Sequence, residues 1–180
     1  MTELITVLGS ADYLQTRQSL IPASCLLVPW ESDGDGLLLG TTDRTIPQFQ
    51  AAAYYTITTQ VGPFDQDGFY HFWHLDFKRT DNALFQNALT PAFIDDLMTA
   101  TQATALRLAR SQQEKHAWLL ILQTPQKPIK QPLHTFVPDT MQDFIERSTH
   151  SLSGFYAHIY VDNAGINGAS RNDAPSAPTK

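Results

Sequence analysis

Across residues 53–61 apolar and polar positions alternate every second residue. Ala53, Tyr55, Ile57, Thr59 and Val61 stand against Tyr54, Thr56, Thr58 and Gln60, the pattern of a half-buried strand. Gly62 and Pro63 end it, because proline cannot donate to a ladder. Upstream, the apolar runs 25–31 and 36–42 flank Ser32-Asp33-Gly34-Asp35-Gly36, whose glycines supply turn conformations, so this stretch predicts a β-hairpin. Downstream, residues 69–78 read as a further strand, rich in aromatic residues. Together these segments predict a four-stranded antiparallel meander in the first half of the chain.

The second half changes period. Thr90 suits an N-cap and Pro91 the first helical position; Asp95 and Asp96 lie near the positive end of the helix dipole, and Arg107, Arg110 and Lys115 near the other. With the stripe Phe93, Leu97, Ala100, Thr104 and Leu108, this predicts one long amphipathic helix. A shorter helix is predicted near the N-terminus, capped by Ser10, running through Leu14 and Leu20 and stopped by Pro22. The continuous apolar run 117–122 predicts a central strand, and Pro125, Pro128 and Pro132 an extended loop over 124–137. Asp139 with Gln142 predicts a capped helix through Met141, Phe144 and Ile145, followed by a last strand over 155–162.

The expected fold is therefore α+β, with a mainly antiparallel sheet made of the four-stranded N-terminal meander plus two later strands, and helices packed on one face. Residues 1–162 form the single domain. Residues 163–180 lose all apolar periodicity and predict a disordered C-terminal tail. No repeat of solenoid period is visible.

Composition narrows the function. Of the 180 residues 42% are apolar and 17% charged, which fits a folded domain and not a charged arm. Twelve Lys and Arg against 18 Asp and Glu give a net charge of -6, and residues 1–81 hold ten acidic against four basic side chains. That field disfavours a phosphate backbone, so no nucleic-acid partner is expected. The longest apolar run is far short of the ~20 residues a membrane helix needs, and the N-terminus lacks a signal-peptide pattern. With a single cysteine, Cys25, in an apolar run, no disulfide framework arises and an inert buried thiol is expected. These features predict a cytoplasmic protein with no membrane partner.

Candidate chemistry lies on two strands. Alternation groups Tyr70, Phe72, His74 and Asp76 on one side of the first, and Tyr156, His158, Tyr160 and Asp162 on one side of the second. If the strands are neighbours, His74 and His158 converge. Non-catalytic binding of a small ligand or a protein partner is the leading expectation, on an aromatic face lined by Tyr54, Tyr70, Phe72, Tyr156 and Tyr160. The alternative is a small hydrolase or phosphoesterase with His74 and His158 as catalytic acid and base, or as metal ligands with Asp76. A homodimer that buries the aromatics is a third arrangement. No P-loop or dinucleotide fingerprint is present, and the cofactor stays unknown from sequence.

Two resemblances accompany these residues. The pair of strand histidines is similar to the two-histidine phosphoesterases, although Asp76 and Tyr160 occupy the third positions where that family carries Thr or Ser. The element order resembles that of coenzyme-A-dependent acetyltransferases, which implies an acyl-CoA ligand. The segment Lys78-Arg79-Thr80-Asp81-Asn82-Ala83 holds no glycine where those enzymes carry their pyrophosphate loop.

Overall fold

The computed structural model describes residues 3–30, 34–43, 45–49, 51–64, 68–125, 137–148 and 157–163. The chain runs β1 (Glu3–Gly9), α1 (Ala11–Arg17), a single 3-10 turn (Gln18–Leu20), β2 (Cys25–Pro29), β3 (Gly36–Thr42), β4 (Ala52–Val61) and β5 (Phe69–Asp76). It continues through α2 (Arg79–Ala88), α3 (Pro91–Thr101), β6 (Ala105–Ser111), β7 (Ala117–Thr124), α4 (Asp139–Arg147) and β8 (Ala157–Asp162).

The eight strands close into one antiparallel barrel in the order β1-β3-β2-β8-β5-β7-β6-β4. The order divides into two runs of the same form. β4-β1-β3-β2 and β8-β5-β7-β6 each place their fourth strand beside their first and their third beside their second, the ferredoxin-like arrangement. The two sheets meet at β2–β8 and β4–β6. Each sheet alone would leave two edges of unpaired amides and carbonyls, and closure removes all four. The fold is thus a twofold structural repeat whose halves share topology without visible sequence similarity.

Alternation on closed strands separates an inside from an outside. Leu4, Leu27, Leu37, Tyr70, Phe72 and Ile121 belong to the cluster that fills the barrel. Outside the second half, Trp73, Phe85, Leu97, Leu106 and Trp118 pack beneath α2, α3 and α4. Outside the first half, Ile5, Val7, Leu14, Leu38, Phe49 and Tyr54 pack beneath α1 and the connection that precedes β4. No helix among the described residues is long and apolar enough to cross a membrane.

An antiparallel sheet with helices on one face is therefore present, the covered face being the outer one. The expected hairpin is also present, with Cys25 opposite Leu39. The meander is not: β4 pairs with β1 and β6, and β5 with β7 and β8. The expectation missed β1, a central strand of Leu4, Ile5, Thr6, Val7 and Leu8, which takes the place beside β3 and β4 that consecutive strands would have filled. It also missed α2, whose Phe85 is buried and whose Asn82 Oδ1 accepts a hydrogen bond from Trp118 Nε1 at 2.8 Å. With β1, α2 and β6 added, the element order behind the acetyltransferase resemblance no longer holds.

The long helix is two elements. Thr90 does cap α3, its hydroxyl accepting from Phe93 N at 3.2 Å. The helix stops where Gln102 adopts a left-handed conformation, φ 53°, and the Ala103 amide turns back onto the Met98 carbonyl. Leu106 and Leu108 then alternate with Arg107 and Ala109 as strand β6. Asp139 is the first residue of α4 and no side-chain cap forms; Gln142 Nε2 donates instead to the Val137 carbonyl at 3.1 Å. Most of the expected proline loop, residues 155–156 of the last strand, and the tail beyond Asn163 lie outside the described residues.

Arg107 secures the β4–β6 seam. Its side chain is nearly buried, and Nη1 lies within hydrogen-bonding distance of the carbonyls of Val61, Gly62 and Leu106, at 3.0, 2.7 and 2.8 Å. The guanidinium also stands 4.4 Å from the centre of the Phe64 ring. Gly62 has φ +60° and faces the Thr104 carbonyl so closely that a Cβ would clash with it. The strand break read at Gly62 and Pro63 is thus the corner at which the two sheets are stitched together.

Candidate functional site

β5 and β8 are neighbours, and their register sets Tyr70 opposite Tyr160 and Phe72 opposite His158. His74 lies one two-residue step beyond Phe72, so it shares a face with His158 on the diagonal, a separation of about 7–8 Å in sheet geometry. The strand adjacency on which that convergence depends is present, and the two positions lie towards one end of the barrel. His74 is partly exposed and His158 exposed, whereas the residues between them and the barrel centre are buried.

Below the two imidazoles the face closes. Tyr70, Phe72 and Tyr160 are 1%, 6% and 5% exposed, and the Phe72 ring meets Tyr160 edge-on at 5.3 Å. These three side chains are packed core and do not line an open surface. Tyr54 points the opposite way, into the outer cluster beneath α1, where its hydroxyl accepts from the Ile46 amide at 2.8 Å. Tyr156 lies outside the described residues.

A turn between β6 and β7 completes the end of the barrel. The Ser111 hydroxyl accepts from the amides of Gln113 and Glu114 at 3.2 and 3.0 Å, which fixes the turn and carries Glu114 across to His74. Glu114 Oε2 stands 3.4 Å from His74 Nε2. Glu114 was not among the candidates from sequence; its signal was a Ser-x-Gln-Glu turn placed between two strands. Partial desolvation against its neighbours lowers the His158 imidazole from its ordinary pKa and favours its neutral form, although the residue as a whole is exposed. Tyr160 is raised, first by burial and then by the charge of Asp35. One imidazole therefore faces a carboxylate while the other is held towards its neutral form.

The Asp76 backbone exchanges hydrogen bonds with the Ser148 hydroxyl, at 3.0 Å from the amide and 3.3 Å to the carbonyl. Among the described residues no group of three or more His, Cys, Asp or Glu side chains gathers to hold a metal, so His74, Asp76 and His158 do not form the ligand set expected from sequence. His71 faces the outside, 1% exposed, with Nε2 2.9 Å from the Thr124 hydroxyl; burial holds its pKa at about 4, as suits a structural histidine. Cys25 is the inert thiol expected, pushed up to about 12 by burial and then by Asp162.

No protein-family model matches the chain, and no curated protein resembles it in sequence. Solved structures do share its fold. A ferredoxin-fold protein related to antibiotic biosynthesis monooxygenases, from Listeria monocytogenes, superposes with a TM-score of 0.69 at 15% identity over 90% of this chain and 94% of its own. A monooxygenase-like protein from Listeria innocua gives 0.67 at 16% identity, over the same shares of the two chains. A heme-degrading enzyme from Listeria monocytogenes gives 0.66 at 14% identity, over 89% of this chain and 99% of its own. At these identities the likeness establishes one thing, that the chain shares the fold of these proteins.

Proposed function

We propose that this protein binds a small organic molecule at the barrel end carrying His74, Glu114 and His158. The observation that supports this most is the step from packed aromatic core to solvent-facing imidazoles along one continuous strand face. A ligand resting there would meet the two imidazoles and the Glu114 carboxylate at the rim, above a core that Phe72 and Tyr160 close beneath it. The fold's occurrence in monooxygenase-like and heme-degrading proteins supports a small-molecule partner over a macromolecular one.

Tyr70, Phe72 and Tyr160 fill the barrel below this end, which argues against a ligand as large as a porphyrin within the barrel itself. Acid-base catalysis by the same two histidines is the second reading. It rests on the His74–Glu114 contact, which would orient one imidazole while His158 stays neutral.

Native mass spectrometry of the protein as purified identifies the retained molecule, and histidine NMR locates it. The ligand is expected to shift the ring resonances of His74 and His158 and to move the His158 titration from its position below 6.5. His74→Ala combined with His158→Ala is expected to weaken binding at least about tenfold, as the loss of one or two polar contacts would. Unchanged affinity in the double variant, or shifts confined to other residues, contradicts the reading.

A further inference from the structure

The two halves of the barrel are covered unequally. Outside the second half lie α2, α3 and α4, and α4 fills the connection between β7 and β8. In the first half the corresponding connection, between β3 and β4, forms no helix among its described residues, and α1, the 3-10 turn and Ile46 and Phe49 of that connection cover the sheet. A groove of about 380 Å³ remains there, walled by Val7 and Leu8 of β1, Tyr13 and Arg17 of α1, and Gln48 and Phe49 of the connection.

Three features of the groove point to one ligand chemistry. Leu8 and Tyr13, at 56% and 42% exposure, are two of the large apolar side chains left exposed on the described surface, and both line it. Arg17 holds its guanidinium 5.0 Å from the centre of the Tyr13 ring and forms no ion pair with any described residue. Arg17 is one of only four basic side chains in residues 1–81, against ten acidic ones, so within this negative background it is the groove's own source of positive charge. An unpaired guanidinium above an aromatic wall is suited to a planar anion, since its fork matches a carboxylate and its face stays stacked on the ring. The volume lies in the range of about 300–1,000 Å³ that small-molecule sites occupy.

We propose that this groove binds a small aromatic carboxylate, its ring against Tyr13 and Phe49 and its carboxylate on the guanidinium of Arg17. A second copy of the chain is a poorer occupant. A twofold contact through Leu8 and Tyr13 would bring the two Arg17 side chains towards one another, and like charges oppose such pairing. The groove lies outside the barrel and shares no residue with the His74 and His158 end, so either site stands if the other fails.

The test uses 2-naphthoate and its uncharged analogue 2-naphthalenemethanol, titrated into the full chain at low salt and followed by amide NMR. Naphthoate is expected to shift the signals of Leu8, Tyr13, Arg17 and Phe49, and the alcohol to bind about tenfold more weakly, for want of one charge-assisted contact. Arg17→Gln, at a half-buried surface position without an ion pair to a described residue, is expected to abolish that difference, while Tyr13→Phe, which keeps the ring, retains naphthoate. The proposal is overturned if neither compound binds at millimolar concentration, if both bind alike, or if Arg17→Gln leaves naphthoate affinity unchanged. It is equally overturned if light scattering finds a dimer that Leu8→Glu dissociates.

Discussion

Phe72→Ala is expected to destabilise the protein by about 3–5 kcal/mol, the range for truncating a buried phenylalanine that leaves a cavity. For a chain of this size that corresponds to a fall in Tm of roughly 10 °C. The expectation follows from barrel closure. Phe72 is 6% exposed, packs edge-on against Tyr160, and belongs to the cluster that includes Leu27, Leu37, Ala109 and Ile121 from four other strands and the β5 neighbour Tyr70. On an open sheet the same ring would be half solvated, and its loss would cost about 1 kcal/mol or less. Thermal and urea denaturation of the variant separate the two cases, with Phe72→Leu, which keeps most of the volume, expected to recover the greater part of the stability.

Arg107→Ala is expected to cost about 3 kcal/mol or more. The substitution strips a donor from the carbonyls of Val61, Gly62 and Leu106 at the corner where β4 meets β6, and buried acceptors left without a partner are each expensive. Burial also lowers the Arg107 pKa, but a guanidinium starts so high that it stays charged, and the carbonyls and the Phe64 ring are what hold that charge. Arg107→Lys keeps the charge without the fork and is expected to fall between the two. Urea denaturation with an unchanged m-value would locate the loss in the folded state. A loss under about 1 kcal/mol for Arg107→Ala would mean that the corner holds without it.

Much of the local structure was legible in the chain because local chemistry decides it. The start of β3 at Gly36, the period-two run over 53–61 and the Thr90-Pro91 helix start are governed by neighbours in sequence, and each marks a real boundary. The missed elements depend on partners far along the chain. Leu4-Ile5-Thr6-Val7-Leu8 is too short a run to declare itself a central strand, and it becomes one by pairing with both β3 and β4. Leu108 fits a helical stripe counted from Leu97 as well as it fits alternation with Arg107. Gln102 decided the matter by taking a left-handed turn, a conformation rare outside glycine and asparagine.

The candidate site was half legible for the same reason. Alternation assigned His74 and His158 to matching faces, and the β5–β8 pairing brings them to one end. It could not say which side of the sheet would be enclosed. An aromatic face reads as a binding surface if the sheet is open and as a core if the sheet is a barrel, and closure depends on the β2–β8 and β4–β6 seams, each joining residues from opposite halves of the chain. Glu114 and Arg17 escaped notice because neither stands in a motif; each matters only through what the fold sets beside it.

Closure of the two halves into one barrel is the claim on which the rest depends, and amide hydrogen exchange across its seams tests it most directly. Two bonds mark them: Trp30 N to the Ile159 carbonyl at 2.8 Å, continuing the β2–β8 seam, and Gln112 N to the Tyr54 carbonyl at 3.0 Å, at the β4–β6 seam. Strand amides along both seams are expected to exchange nearly as slowly as those of the central β5–β7 pair, because opening a seam would expose the interior cluster and approach global unfolding. Slow exchange within β5–β7 and β1–β3 together with fast exchange along both seams would describe two separate open sheets and would contradict the account.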